Sequence, residues 1–321
     1  MKSYSVAIRT LGLSVDTLRK ELVSLHNQTI APDSIDIYIA QNYAIPDFRI
    51  GIEQYHYVPK GMVAQRALLY DNVSSDYLLL LDDDVELAPD SVERLIAIAD
   101  ANSADCVAAD TFQTHNMSFK SKARAAIVNF SLPRFNQRWA VTVRPDDSFS
   151  YINKPCKVCY PTQSAAGPAA LWRTESFRNM HFEDEVWLDH LGFAYGDDGL
   201  EFFKLYLNGG RLFMAFETGV VNLNAKTSSA NFQRSSERFR IMAKSNICRW
   251  HRMHYSHKSL FGKAVALSMM SYKVLYQLLI LSIVSIKKNM RIAPKMFCIG
   301  VSEGIKFLRS DEYKSLPTYK L

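Results

Sequence analysis

The stretch LLLLDDDVELAPD, residues 78–90, sets three consecutive aspartates directly behind four leucines. With Tyr77 in front, YLLLL (77–81) reads as a strand buried on both faces. Like charges repel at the spacing of Asp82, Asp83 and Asp84, and carboxylates are rarely buried without a partner. Either the strand surfaces here, or the acidic cluster holds a cation.

The flanking sequence favours a particular scaffold. SVAIR (5–9), IDIYIA (35–40) and DCVAA (105–109) read as further strands. Helix signals alternate with them. Residues 16–28 place Leu18, Leu22 and Leu25 on one face, and residues 60–73 open near Pro59 and Gly61. A third helix begins near Pro89, with Asp90 and Glu93 at its positive end and Val92, Leu95, Ile96 and Ala99 facing inward. This alternation predicts an α/β fold, a doubly wound, mainly parallel sheet with helices on both faces. Ligands in such sheets bind beyond the carboxyl ends of the strands, where Asp82–Asp84 stand.

Residues 112–160 are less regular and read as an excursion carrying substrate-facing loops. CYPTQSAAGPAALWRTESF (159–177) runs from a strand through a small-residue turn. A helix follows from about Asp198 to Leu207, ended by Asn208, Gly209 and Gly210, and RLFMAF is then a strand.

A chain of 321 residues, 48% hydrophobic and 22% charged, can bury a large core. Five cysteines suit a reducing compartment, and the lone CxxC of Cys156 and Cys159 is too sparse for a zinc framework. MKSYSVAIRT lacks the charged start and long apolar stretch of a signal peptide, so a cytoplasmic location is expected.

The net charge of +6 hides an asymmetry. Residues 1–225 hold 20 Lys+Arg and 28 Asp+Glu, a balance of −8, whereas residues 226–321 hold 18 and 4, a balance of +14. Two units are expected, a catalytic domain at 1–225 and a basic helical region at 226–321. Within the second, residues 231–257 read as a basic helix. Residues 260–286 are mostly apolar but interrupted by Lys263 and Lys273, and the uncharged run 274–286 is only 13 residues. That falls short of the roughly 20 needed to span a bilayer. KKNMR (287–291) and an amphipathic stretch around 295–308 follow. Apolar and basic together predict attachment to an anionic membrane surface, peripheral on its inner face. Packing on the catalytic domain or a homo-oligomer contact is the alternative. The +14 tail motivates a weaker alternative, a basic nucleic-acid-binding protein, but no nucleic-acid module is recognisable, so nucleic acid is not an expected partner.

Two acidic elements carry the chemistry. A strand ending in DxD offers carboxylates that can share one Mg²⁺ or Mn²⁺ with a diphosphate. In GDDGLEFFKLYLNGG (196–210), Asp197 and Asp198 precede a helix, where they serve either as caps or as a general base. Elsewhere, His251, His254 and His257 form a stripe three apart, and Trp139, Trp172 and Trp187 are candidates for sugar stacking or core packing.

SVAIRTLG, GMVAQRALLYDNVSSDYLLLLDDDVELAPDSVERLI and FEDEVWLDHLGFAYGDDGLEFFKLYLNGGRL stand in the order and spacing of three motifs of one family. Over residues 3 to about 225 the chain resembles family 2 glycosyltransferases of the GT-A fold. The resemblance implies that Asp82 and Asp84 bracket the DxD element, completed by Asp83, with Asp84 meeting Mn²⁺ or Mg²⁺. It puts Asp198 at the catalytic base, with Asp197 in place of the usual Glu; were Asp198 not the base, Asp197 and Glu185 would be the next candidates. Arg9 and Thr10 fall near the nucleotide base, and Gln65 and Arg66 against the nucleotide. Gln41 and Asn42 stand where the family often carries Asp and Gly-Ser, and Asn222 or Asn224 where a metal-binding His is expected. The implied reaction is inverting transfer from a UDP-, GDP- or dTDP-linked sugar to a hydroxyl of a glycan or lipid-linked acceptor, in cell-surface polysaccharide synthesis. The missing His motivates an alternative, a nucleotide-sugar-binding protein without catalysis. A hydrolase with paired carboxylates would not need an acidic triplet behind a buried strand.

Overall fold

The computed structural model describes residues 2–111, 118, 120, 123, 138–223, 236–287 and 292–319. Its centre is an eight-stranded sheet built from β1 (Tyr4–Thr10), β2 (Ile35–Ala40), β3 (Glu53–Val58), β4 (Tyr77–Asp82), β6 (Cys106–Ala109), β9 (Cys159–Pro161), β10 (Ala169–Arg173) and β11 (Leu212–Ala215). The order is β3-β2-β1-β4-β10-β6-β11-β9. The strands from β3 to β4 are parallel, as are β6 and β11, while β10 runs against both β4 and β6. Two small antiparallel pairs flank the sheet, β5 (Val85–Leu87) with β12 (Val220–Asn222), and β7 (Val141–Val143) with β8 (Phe149–Tyr151).

The four leucines that opened the sequence explain why the sheet is covered on both faces. Successive side chains of a strand point to opposite sides. Leu79 and Leu81 join Val6, Ile8 and the inner face of α1 (Val15–His26) and α3 (Ser91–Asn102). Leu78 and Leu80 join Trp172, Phe202 and Leu205 on the other side, where α5 (Asp197–Leu207) packs. Each fully buried leucine contributes about 1.5–3 kcal/mol. The expected mainly parallel, doubly wound α/β sheet is therefore present.

Some boundaries differ from the sequence reading. The helix expected over 60–73 is only α2 (Met62–Arg66). Tyr70 takes a left-handed φ of +50°, and Arg178 donates to the carbonyls of Leu69, Tyr70 and Val73, so those carbonyls need no helix to satisfy them. Pro89 lies just outside α3, with Asp90 at the N-cap. A short helix α4 (Thr174–Asn179) and a 3₁₀ stretch (Phe182–Leu191) lead into α5.

The C-terminal region is helical, with α6 (Glu237–Trp250), a π-helical turn (His251–Tyr255), α7 (Leu260–Lys287), α8 (Ala293–Phe307) and α9 (Asp311–Lys314). A side chain on Gly300 would put its Cβ 2.0 Å from the Arg240 carbonyl oxygen, so glycine is what lets α8 lie against α6. The expected interruption of the apolar segment is corrected. Leu260–Lys287 is one continuous helix, and among the described residues it is long and apolar enough to cross a membrane. At 1.5 Å per residue it measures about 42 Å. Lys273 does not break it, because that side chain is buried and donates to the Asp146 carbonyl at 2.7 Å. One face of α7 packs through Ala266, Met270 and Lys273, while Leu275, Leu279, Ile283 and Ile286 are exposed on the other.

Part of the basic charge of this region is used internally. Arg252 pairs with buried Glu185, and Arg249 with buried Asp147. Nor do the three histidines converge: His254 packs on Phe203 and His251 bonds Tyr313. Among the described residues no group of three His, Cys, Asp or Glu side chains is arranged to hold a metal ion.

Candidate active site

The carboxyl ends of β1 and β4 and the start of β10 form one rim of the sheet. Over it lies a cavity of about 370 Å³ lined by residues including Arg9, Thr10, Gln65, Arg66, the three aspartates 82–84, Asp198 and Asn222. The sheet thus gathers residues as far apart in sequence as Arg9 and Asn222.

Arg66 is the hub. Its guanidinium lies 2.6 Å from Asp197, 2.6 Å from Asp198, 3.4 Å from Glu201 and 3.6 Å from Asp82. Arg9 bonds Asp82 at 2.9 Å and the Gly167 carbonyl at 3.3 Å, and its Nε and Nη1 have no partner among the described residues. Burial alone would loosen the proton on Arg66, but the carboxylates reverse this and hold it charged. Four carboxylates nevertheless face two arginines. Burial pushes the Asp198 carboxyl up to about 6 against the pull of Arg66, and it also raises Asp197 and Glu201.

The two adjacent aspartates differ in place. The Asp197 side chain is 5% exposed and committed to Arg66, whereas that of Asp198 is 34% exposed and faces the cavity. Geometry therefore sets Asp197 behind Asp198 and not beside it. Glu185 is removed from the cavity altogether. It is buried among Arg252, Lys204 and the Trp187 ring nitrogen, which excludes it as an alternative base.

In the acidic triplet, Asp83 accepts a hydrogen bond from the Thr10 hydroxyl. Burial pushes its carboxyl up to about 7, opposed by that hydrogen bond and reinforced by Asp82 and Asp84. Beneath it, Glu21 on α1 is wholly buried and raised well above the usual range, first by burial and then by Asp83. Pairing of β12 with β5 sets Asn222 opposite Val85, and its amide nitrogen donates to Asp84 at 3.0 Å. Asp84 and Asn222, both candidate ligands, are thus neighbours, while Asn224 lies outside the described residues.

Of the other predicted contacts, Gln65 lines the cavity and its side-chain amide donates to the carbonyls of Thr10 and Tyr38. Gln41, at the end of β2, is exposed and does not line the cavity. None of Trp139, Trp172 and Trp187 lines it either. Trp172 stacks on Phe202 and Trp187 on Phe307 in the core, and Trp139 meets the Tyr206 ring edge-on. The sequence reading missed Gly167, whose carbonyl caps both arginines, and Glu201. Glu201 had a signal, since it lies three and four residues after the paired aspartates on one helix.

Residues 17–159 match the family model described as glycosyl transferase family 2. That segment, a little under half of the chain, is similar to family 2 glycosyl transferases. Asp198 and Asn222 of the cavity lie beyond the matched residues. Among solved structures, one of GalNAc-T7 with UDP, GalNAc and Mn²⁺ has a TM-score of 0.51 at 12% identity, covering 85% of this chain. The likeness is one of fold, and the match takes in about half, 54%, of that chain. The structure of S. aureus TarS 1–349 has a TM-score of 0.46 at 13% identity, over 98% of this chain and 90% of that one. No curated protein matches the sequence.

Proposed function

We propose that the protein is an inverting glycosyltransferase. It moves a sugar from a UDP-, GDP- or dTDP-linked donor to a hydroxyl of a glycan or lipid-linked acceptor in cell-surface polysaccharide synthesis. The observation that carries this is the shared cavity, in which a carboxylate open to solvent, Asp198, meets the rim that holds Asp82 and Asp84.

Asp198 accepts the proton of the acceptor hydroxyl as that oxygen attacks the anomeric carbon. Attack from the side opposite the leaving diphosphate inverts the configuration. With its carboxyl pushed up to about 6, Asp198 is mostly ionised at neutral pH yet basic enough to take the proton. Arg66 orients it, and Asp197 and Glu201 hold Arg66. Arg9 offers unmet donors beside Asp82 for a donor phosphate.

The donor set suits a hard cation. Two carboxylates and an amide cannot enclose one, but Mg²⁺ and Mn²⁺ commonly bind through one or two carboxylates and the phosphates of the substrate. Asp82 and Asp84 would hold it, with Asn222 alongside. Such an ion supplies neutralising charge for the departing diphosphate.

Thermal-shift titration with UDP, GDP and dTDP, with and without Mn²⁺, tests the reading. One nucleotide should raise the melting temperature more with Mn²⁺ than without, and Asp84→Ala should lose that increment while keeping its own fold. Undiminished Mn²⁺ dependence in the variant would move the ion elsewhere, and no response to any of the three would remove the donor class.

The same reading places the protein in the cytoplasm, on the inner face of the membrane, with α7 lying in the interface. Lys273, near the middle of the helix, is bonded to the 144–148 loop. A crossing helix would drag that irregular loop into hydrocarbon, which lipid-exposed backbone does not tolerate. An in-plane helix instead buries Leu275, Leu279, Ile283 and Ile286. The full-length chain should pellet with phosphatidylglycerol vesicles at low salt, and less so for Leu275→Glu combined with Leu279→Glu. A chain that stays in the supernatant leaves only packing or self-association for this face.

A further inference from the structure

We propose that Arg249, on α6 of the C-terminal region, is a positioning residue for transfer, fixing the turn at Gly196 from which Asp197 and Asp198 project. The proposal rests on the reading of Asp198 as the base.

Gly196 is the N-cap of α5 and takes a left-handed φ of +82°. Arg249 Nη1 donates to its carbonyl at 2.7 Å, and the guanidinium fills the space beside it. A Cβ on Gly196 would lie 1.4 Å from Nη1, so the glycine answers both to the backbone and to the arginine. The other arm of the fork, Nη2, bonds Asp147, which is wholly buried, and reaches Asn246 at 3.2 Å. Asp147 is itself held in place. Its loop is tied to α6 by the Trp250 ring nitrogen, which donates to the Pro145 carbonyl at 2.9 Å, and to α7 by Lys273 on the Asp146 carbonyl.

A glycine turn has more accessible conformations than any other, and Asp198 inherits whichever one it takes. The guanidinium selects one by holding two fixed points at once, Gly196 and Asp147. Lysine cannot do so, because its ammonium is a point donor on a flexible stem. The C-terminal helices thereby act on Asp198, which lines the cavity, through Arg249, which does not.

The test uses full-length Arg249→Lys and Arg249→Gln with two readouts. Hydrogen exchange is followed on peptides covering 194–200, and nucleoside diphosphate release is followed from UDP-, GDP- and dTDP-hexoses. Exchange should rise at 194–200 ahead of the rest of the sheet region. Turnover should fall about 10²-fold, the cost of roughly an ångström of misplacement, with the KM for the donor unchanged. If Arg249→Gln does not fold, Arg249→Lys, which keeps a cation beside Asp147, decides alone. Wild-type exchange at 194–200 with wild-type turnover in Arg249→Lys overturns the proposal, as does exchange raised evenly throughout with turnover intact. Asp198→Asn, run alongside, separates the two layers. If it turns over like the wild type, the base is elsewhere and the proposal falls with that reading. If it is inactive while Arg249→Lys matches the wild type, the proposal alone falls.

Discussion

Two buried arginine clusters divide this molecule between them. At the cavity, Arg9 and Arg66 face Asp82, Asp197, Asp198 and Glu201, two cations against four carboxylates. Where the C-terminal helices meet the sheet region, Arg252 is matched to Glu185, with Lys204 at 3.2 Å, and Arg249 to Asp147. At the first site burial wins and the Asp198 carboxyl rises. At Glu185 burial also pushes upward, but Arg252 and Lys204 outweigh it and leave the carboxyl below its usual range. Two cations on one carboxylate hold Glu185 charged and join elements together, whereas four carboxylates on two arginines leave Asp198 with a proton within reach of neutral pH, which is what acid–base chemistry requires.

Removing the unbalanced carboxylate should have the largest effect on function. Asp198→Asn should cost about 10² to 10⁴ in turnover, since an amide accepts no proton, with little change in melting temperature. Near-normal turnover would show that the excess charge is not used as a base. Breaking the balanced set should act on stability. Arg252→Met leaves the buried Glu185 charge to Lys204 alone and should cost up to about 3–5 kcal/mol, read from urea unfolding at neutral pH. A loss under 1 kcal/mol would put both clusters in one class.

Asp198 and Glu185 should also answer acid with opposite signs, while Asp147, raised by burial against the pull of Arg249, sides with Asp198. Folded Asp198, raised to about 6, binds its proton more tightly than the unfolded chain does, so its contribution to stability falls as pH rises from about 4 to 6. Glu185, lowered, contributes above its unfolded pKa and loses that contribution as pH drops through its folded value. Turnover follows the ionised Asp198 and should fall tenfold per unit below about pH 6. Equilibrium unfolding from pH 8 down to about 2, repeated in Asp198→Asn and Glu185→Gln, resolves the two signs, and a shared sign would remove the contrast. The smallest effect belongs to an exposed pair, Arg240 with Glu303, each about a third exposed. Glu303→Gln should shift stability by about 0–1 kcal/mol, which separates burial from mere pairing.

The sheet was legible because its signals are local. Four leucines in a row can satisfy two faces only if both are covered, and the alternation of strand and helix supplies the covers. The rim aspartates were legible for the same reason, as polar residues at a strand's end. Which of Asp197 and Asp198 turns to the cavity was legible only through the family resemblance, because locally both stand at a helix start and the choice depends on Arg66, more than a hundred residues earlier. Arg249 read as one more charge in a basic tail, since its partners Gly196 and Asp147 lie 53 and 102 positions away. Lys273 was taken to interrupt an apolar run, but a lysine interrupts one only when its charge must reach water, and here a carbonyl receives it.

The reversed strand β10 has a consequence for how this scaffold can vary. Its neighbours β4 and β6 climb toward the rim, whereas β10 descends from it, entering just after Gly167 and Pro168. The Pro168 carbonyl accepts from the Asp82 amide at 2.9 Å, so the entry point is stitched to the acidic triplet. A residue gained or lost ahead of Pro168 would reshape the loop leading to that wall while the strand register below stays fixed. The same change inside β1 or β4 would shift wall and register together. The scaffold is thus adjustable only ahead of Gly167, since Gly167 itself is held by Arg9 and Arg66 and leaves no room for a side chain beside Asp198.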